Sequence, residues 1–200
     1  MAALHAGPNL LPSGGDVRYW GPIFDPAESE TVFEKLFREI PWSHEEVVLF
    51  GKLHVTSRKV AWHGDPGSDY TYAGRRKQPA PWTEILRALK TRVEKAAECH
   101  FNSCLLNLYQ SGAEGMGWHR DDEPELGQEP VIASLSFGAE RRFLFRRDQS
   151  AQTVEVRLEN GSLLIMRGAT QRHWKHSLPK ALRVREARIN LTFRQIHLTA

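Results

Sequence analysis

The stretch Val131–Arg167, VIASLSFGAERRFLFRRDQSAQTVEVRLENGSLLIMR, decides the fold. Four short strands are read in it, Val131–Phe137, Arg142–Phe145, Val154–Leu158 and Ser162–Met166, separated by Gly, Asp, Ser and Asn at turns. The first and last are nearly continuous apolar runs and the third alternates, the mixture that two packed sheets require. Working outward, Glu46–His54, Leu105–Tyr109 and Arg188–Ile196 add further strands. Asp25-Pro26 has the form of a helix N-cap followed by proline, and Val32, Phe33, Leu36, Phe37 and Ile40 then recur at helical spacing, so a helix is predicted over 26–40. Pro81-Trp82 opens a second helical pattern with Ile85, Leu86, Leu89, Val93 and Ala97 as its apolar stripe. Two helices followed by seven or eight strands predict a mainly β, α+β protein: a β-sandwich or jelly roll with buttressing helices.

The chain has 200 residues, 40% hydrophobic and 26% charged, which suits one globular domain. Residues 1–15, rich in Gly, Pro and Ala, read as a flexible terminus, leaving 16–200 as the domain. No apolar run approaches the roughly 18 residues that span a bilayer, and no charged leader precedes an apolar stretch. A soluble, non-membrane protein is therefore expected. Cys99 and Cys104 form no repeating framework and are expected as buried thiols in a reducing compartment. The charge is uneven: residues 1–50 carry a net −5, 51–139 balance, and 140–200 carry +8. The densest run is R-R-F-L-F-R-R, Arg141–Arg147. A basic face of this kind attracts phosphate backbones, although it equally suits plain solvation.

Chemistry enters at Gly115–Glu123, G-M-G-W-H-R-D-D-E. In an extended segment His119 and Asp121 project from one face, so an imidazole and a carboxylate can converge on one ion. H-x-D alone is a weak signal. His173 and His176, in H-W-K-H, offer a third ligand, and because they stand three positions apart they would face opposite sides of a strand, so only one is expected to point inward. Two imidazoles and a carboxylate on one side of an ion form the facial set of non-haem iron(II) oxygenases, with a zinc hydrolase as the rival. In R-I-N-L-T-F-R, Arg188, Asn190, Thr192 and Arg194 share one strand face. That face suits solvent, or arginines that clamp a dicarboxylate.

Taken together, N-x-Y (Asn107, Tyr109), G-x-x-x-H-R-D-D-E ending at Glu123, S-x-S-F-G (Ser134–Gly138), H-W-x-H-S-L-P ending at Pro179 and R-x-N-L-T-F-R resemble the AlkB family of DNA and RNA dealkylases, in order and spacing. The resemblance implies a double-stranded β-helix, a jelly-roll core over about 100–200. It implies Fe(II) held by His119, Asp121 and His176, the last chosen over His173 because it directly precedes Ser-Leu-Pro. Asn107, Tyr109, Arg188, Thr192 and Arg194 are implied for the co-substrate 2-oxoglutarate, the two arginines dividing its carboxylates in an order left open. The implied reaction uses O2, converts 2-oxoglutarate to succinate and CO2, and releases an alkyl group such as methyl as formaldehyde.

Upstream, Phe50–Lys52, Ser57–Lys59 and Gly64–Gly74 resemble a nucleotide-recognition lid, about 45–75, of the DNA-repair branch. A base must leave its stack to be acted on. The resemblance implies Tyr72 stacking on the base opposite His119, with Tyr70, Arg58, Asp122 and Glu123 contacting substrate and Asp122 beside the metal. Phe50 matches a wedge that fills the gap left by an extruded base. Alkylated DNA is the implied partner, duplex ahead of single strand, with RNA or a small-molecule hydroxylase substrate as alternatives. A monomer is expected, cytoplasmic in a bacterium and nuclear in a eukaryote.

Overall fold

The computed structural model describes residues 6–49, 52–68, 70–72, 75–148 and 150–197. In chain order its elements are β1 (Asp16–Pro22), α1 (Pro26–Glu39), β2 (Ser43–Leu49), β3 (Lys52–Gly64), β4 (Tyr70–Tyr72), β5 (Arg75–Lys77), α2 (Glu84–Ala97), β6 (Ser103–Tyr109) and β7 (Met116–His119). After a 3-10 turn at Pro124–Leu126 come β8 (Ile132–Gly138), β9 (Arg141–Arg147), β10 (Thr153–Leu158), β11 (Ser162–Arg167), α3 (Thr170–His173), β12 (Trp174–Leu178) and β13 (Arg188–Arg194). A seven-stranded sheet runs β1-β11-β8-β13-β6-β3-β2, and a four-stranded sheet runs β10-β9-β12-β7. β4 and β5 pair as a separate ribbon. The two larger sheets are the layers of a jelly roll, as the strand pattern and the resemblance imply. Among the described residues no helix is long and apolar enough to cross a membrane.

The helices form where their caps predict. The Asp25 carboxylate accepts from the Glu28 amide at 2.8 Å with Pro26 at the first helical position, and Thr83 caps α2. The second helix therefore starts at Glu84, two residues after the Pro81-Trp82 that opens its pattern. Its stripe, Leu86, Leu89, Val93 and Ala97, packs with α1 residues Val32 and Leu36 against one face of the large sheet, where Leu106, Leu135, Leu163, Ile189, Leu191 and Phe193 are buried. Phe37 departs from the expected stripe: it is 46% exposed and stacks on Phe33 at 5.9 Å. The other face of the large sheet meets the small one around Tyr109, Ile132, Phe143, Phe145, Leu164 and Trp174. Because helices cover one face and a second sheet the other, β8 and β11 are buried on both faces, mostly by apolar side chains, with Ser134 and Ser136 as the polar exceptions within β8.

Three expectations change. The strand predicted over Glu46–His54 divides into β2 and β3, which pair antiparallel with Leu49 opposite Lys52. β1, β4, β5, β7 and β12 are additional strands, short or interrupted by Gly, Lys and His. The loose terminus is in part anchored: Leu11 is 3% exposed, and the Asn9 side-chain oxygen accepts from the amides of Leu11 and Val17 at 3.0 and 2.9 Å. Cys104 is buried as expected, while Cys99 is only partly so. Gly138, which closes the S-x-S-F-G motif, has φ +81, and a Cβ there would lie 2.4 Å from the Ala187 carbonyl oxygen, so no other residue fits.

Candidate metal centre and its surroundings

β7 and β12 are neighbours in the small sheet, with His119 directly opposite His176. Both rings therefore point to the face that looks at the large sheet, their centroids 4.2 Å apart. Asp121, two residues past His119, turns its carboxylate between them: Oδ1 lies 3.9 Å from Nε2 of each histidine. The three ligand atoms all fall within 4.8 Å of one another. His119 Nδ1 faces the Gly117 carbonyl at 2.8 Å. The ring donates there, which leaves Nε2 as the acceptor a metal needs. His173 stands at the exposed end of α3, so the local structure agrees with the choice of His176 as the inward histidine.

Electrostatics prepare the set for a cation. Burial, with His119 beside it, lowers the pKa of His176 to about 3, so the imidazole is neutral. Burial pushes Asp121 up, but Arg194, His176 and His119 outweigh it and bring the carboxyl to about 2. Nη2 of Arg194 holds Asp121 Oδ2 at 2.8 Å, so Oδ1 is the oxygen left facing the histidines. Gln171 adds a support that nothing in the sequence signals: its Oε1 accepts the Asp121 amide at 3.1 Å. Phe143 and Phe145 pack near the His176 ring at 5.4 and 6.1 Å and keep that side apolar. Two imidazoles and one ionised carboxylate on one side of a point, with no thiolate among them, fit iron(II).

Along β13, Arg188, Asn190, Thr192 and Arg194 line the same cavity as the ligands, together with Asn107, Tyr109 and Ser134. The solvated-face reading of that strand is overturned, since Arg188 is 1% and Arg194 5% exposed. Arg188 donates to Ser136 Oγ at 2.9 Å and lies 5.6 Å over the Tyr109 ring. Its Nε has no partner, and no carboxylate reaches it among the described residues. Burial has drawn its guanidinium down to about 10. A buried cation without a counter-ion waits for an anion.

The remaining expected residues separate. Arg58 is 8% exposed and donates through Nε to Asn107 Oδ1 at 2.8 Å and through Nη2 to Glu45 at 3.2 Å. It is thus set into the wall behind the cavity rather than on its surface. Asp122 is exposed and Glu123 is half-buried. Tyr70 and Tyr72 lie on β4, paired with Lys77 and Arg75. Phe50 lies outside the described residues. The basic run is not a uniform surface: Arg141 is buried and donates to the carbonyls of Glu114 and Pro179 at 2.8 and 2.7 Å, while Arg142 pairs with Glu155.

Comparison with known proteins agrees with this geometry. Residues 16–194 match the model of the 2OG-Fe(II) oxygenase superfamily. The chain is 40% identical to the cattle (Bos taurus) alpha-ketoglutarate-dependent dioxygenase alkB homolog 3 over 86% of its own length, and spans 63% of that relative. It is 42% identical to the mouse (Mus musculus) DNA oxidative demethylase ALKBH2 over 87% of its length, and spans 77% of it. The solved structure of OsALKBH1 superposes with a TM-score of 0.65 at 19% identity, covering 92% of this chain and 98% of that one, which speaks for the fold. With the facial His-Asp-His set inside that fold and a match over nearly the whole sequence, the chain belongs to the 2OG-Fe(II) oxygenase superfamily, in its AlkB branch.

Proposed function

We propose that this chain oxidatively removes alkyl groups from N-alkylated bases in DNA, such as 1-methyladenine and 3-methylcytosine. The observation that carries the reading is the pairing of a facial metal set with a buried arginine that lacks a carboxylate, one cavity apart. DNA as substrate is supported by the relatives, several of which bear the name DNA oxidative demethylase. When bound, iron(II) supplies the activation of O2 that oxidises 2-oxoglutarate to succinate and CO2 and hydroxylates the alkyl carbon; the product collapses to formaldehyde and the restored base.

The protein's own work is positioning and exclusion. His119, Asp121 and His176 would hold the metal from one side and leave the other open. Arg188 is assigned the distal carboxylate of 2-oxoglutarate, at the far end of β13 from the metal, and Arg194 the metal end, where it already fixes Asp121. Arg58 occupies the Asn107 oxygen, so the amide N–H2 of Asn107 is the group turned to the co-substrate. Burial raises the Tyr109 phenol, which keeps it a neutral donor. Thr192 completes that wall, and the exposed Asp122, next in sequence to the metal ligand Asp121, is assigned with Glu123, Tyr70 and Tyr72 to the base by the family resemblance. A duplex as the working form of the DNA rests on Phe50 as wedge. The deciding experiment is formaldehyde release from a panel of methylated oligonucleotides, single and double stranded, with and without 2-oxoglutarate. Release without nucleic acid would point to a small-molecule hydroxylase, and none under any condition would sink the reading.

A further inference from the structure

The small sheet has a second face. Residues of β7, β9 and β12 that alternate with His119, Phe145 and His176 point away from the metal, and there Trp118, Arg146 and Lys175 come together. Trp118 is 37% exposed, and the Arg146 guanidinium lies 4.4 Å over its ring. Lys175 stands directly opposite Arg146 in the β12–β9 register. Like charges opposed across a ladder destabilise it, and neither of these has a carboxylate within ion-pair distance among the described residues. Further along the same face the cations are neutralised, Arg142 by Glu155 at 2.7 Å and Arg157 by Glu140 at 2.9 Å. On this face, among the described residues, charge is thus left bare beside the strand that carries His119, next to an aromatic ring.

We propose that Trp118, Arg146 and Lys175 form a docking platform for an unpaired nucleic-acid strand, with the two cations on neighbouring phosphates and the indole under a base. A part-exposed aromatic ring, capped on one face by Arg146 and with its other face to offer a base, beside two cations without carboxylates, is a combination that holds single strands, because every base has a π-face and every linkage a charge. The platform rests on the reading that the chain acts on nucleic acid. It lies one residue from two metal ligands but on the opposite face, so a strand reaching the cavity passes its edge. An acidic peptide would use the cations and leave Trp118 idle.

The test is fluorescence anisotropy with an unmodified single-stranded oligonucleotide of about 16 nucleotides, titrated at several salt concentrations. Arg146→Ser with Lys175→Ser is expected to weaken binding roughly tenfold at low salt and to reduce the slope of log K against log salt by about 1.4, at about 0.7 per phosphate on a single strand. Trp118→Ala is expected to weaken it roughly tenfold, and Trp118→Phe far less, since an aromatic face is retained. A melting curve on each variant identifies loss of fold, and Trp118→Phe carries the stacking arm should Trp118→Ala not fold. Affinity and slope equal to the parent's in the double variant would overturn the platform, as would equal competition by polyglutamate. Formaldehyde release from a methylated oligonucleotide is measured on the same preparations. Its absence in the parent removes the enzymatic reading alone, whereas its presence with unaltered variant binding removes the platform alone.

Discussion

Replacing Arg188 by Met is expected to stabilise the protein free of co-substrate while abolishing its response to 2-oxoglutarate. Arg188 is 1% exposed, and burial has drawn its guanidinium well below the usual arginine range, to about 10. At 1.36 kcal/mol per pKa unit, that is roughly 3 kcal/mol against keeping the charge in the folded chain. Below about pH 10 the group is protonated in both folded and unfolded chains, so the whole penalty is present at neutral pH. The hydrogen bond to Ser136 and the contact with the Tyr109 ring offset about 1 kcal/mol or somewhat more. An apolar side chain of similar length removes both contributions, leaving a net gain of about 1–2 kcal/mol, or about 2–8 °C in Tm for a chain of this size. The parent should instead gain about 2.7 kcal/mol when 2-oxoglutarate is added with iron(II) under nitrogen at a hundredfold excess over Kd. Thermal melts of both proteins, with and without co-substrate, give the four values. A variant that melts below the parent without co-substrate and still gains on its addition would refute the reasoning, because the charge would then be neither costly nor addressed by the ligand.

Changing His119, Asp121 or His176 to Ala is expected to abolish formaldehyde release and lower bound iron, while exposed His173→Ala keeps substantial activity; iron content per chain and turnover decide between the histidines. Arg58→Met breaks a buried chain from Glu45 to Asn107 and is expected to cost roughly 3–5 kcal/mol of stability and to raise KM for 2-oxoglutarate more than for the oligonucleotide. The reverse order of KM effects would return Arg58 to the substrate contacts. Phe50→Ala is expected to depress the specificity constant on duplex DNA far more than on a single strand, since unstacking costs a few kcal/mol only where the base starts stacked; a constant ratio with an earlier melt would make Phe50 a core residue.

What the sequence shows most clearly is local. Asp25-Pro26 caps α1 as its residue types require, and β8 and β11 are mostly apolar because both of their faces are covered. Non-local pairing is what a single strand's pattern leaves out. His119 and His176 become neighbours only because β7 and β12 pair, and neither strand announces itself: one is four residues with a central glycine, the other carries Lys and His. Spacing therefore leaves His173 and His176 equal; the resemblance selects His176, and α3, which ends at His173, leaves His176 on β12 facing His119. The same limit hides Arg58. A positive charge between Ser and Lys reads as a surface group, and the partners that bury it, Glu45 and Asn107, lie on two other strands.

The alternation in β13 shows how a functional face imitates a solvated one. Ile189, Leu191 and Phe193 face the helices, and Arg188, Asn190, Thr192 and Arg194 alternate with them, the pattern of a strand with one wet side. Here the polar side is roofed by a second sheet. Asn190 consumes its donors within the wall, bonding Ser134 Oγ at 2.9 Å and the Leu135 carbonyl at 3.0 Å. Arg194 is committed to the metal ligand Asp121. Arg188 alone of the four carries a charge that no carboxylate among the described residues answers. Buried polar groups in proteins are almost always satisfied, so the position of that exception marks where the dicarboxylate belongs, and the sign of the Arg188→Met stability change measures it.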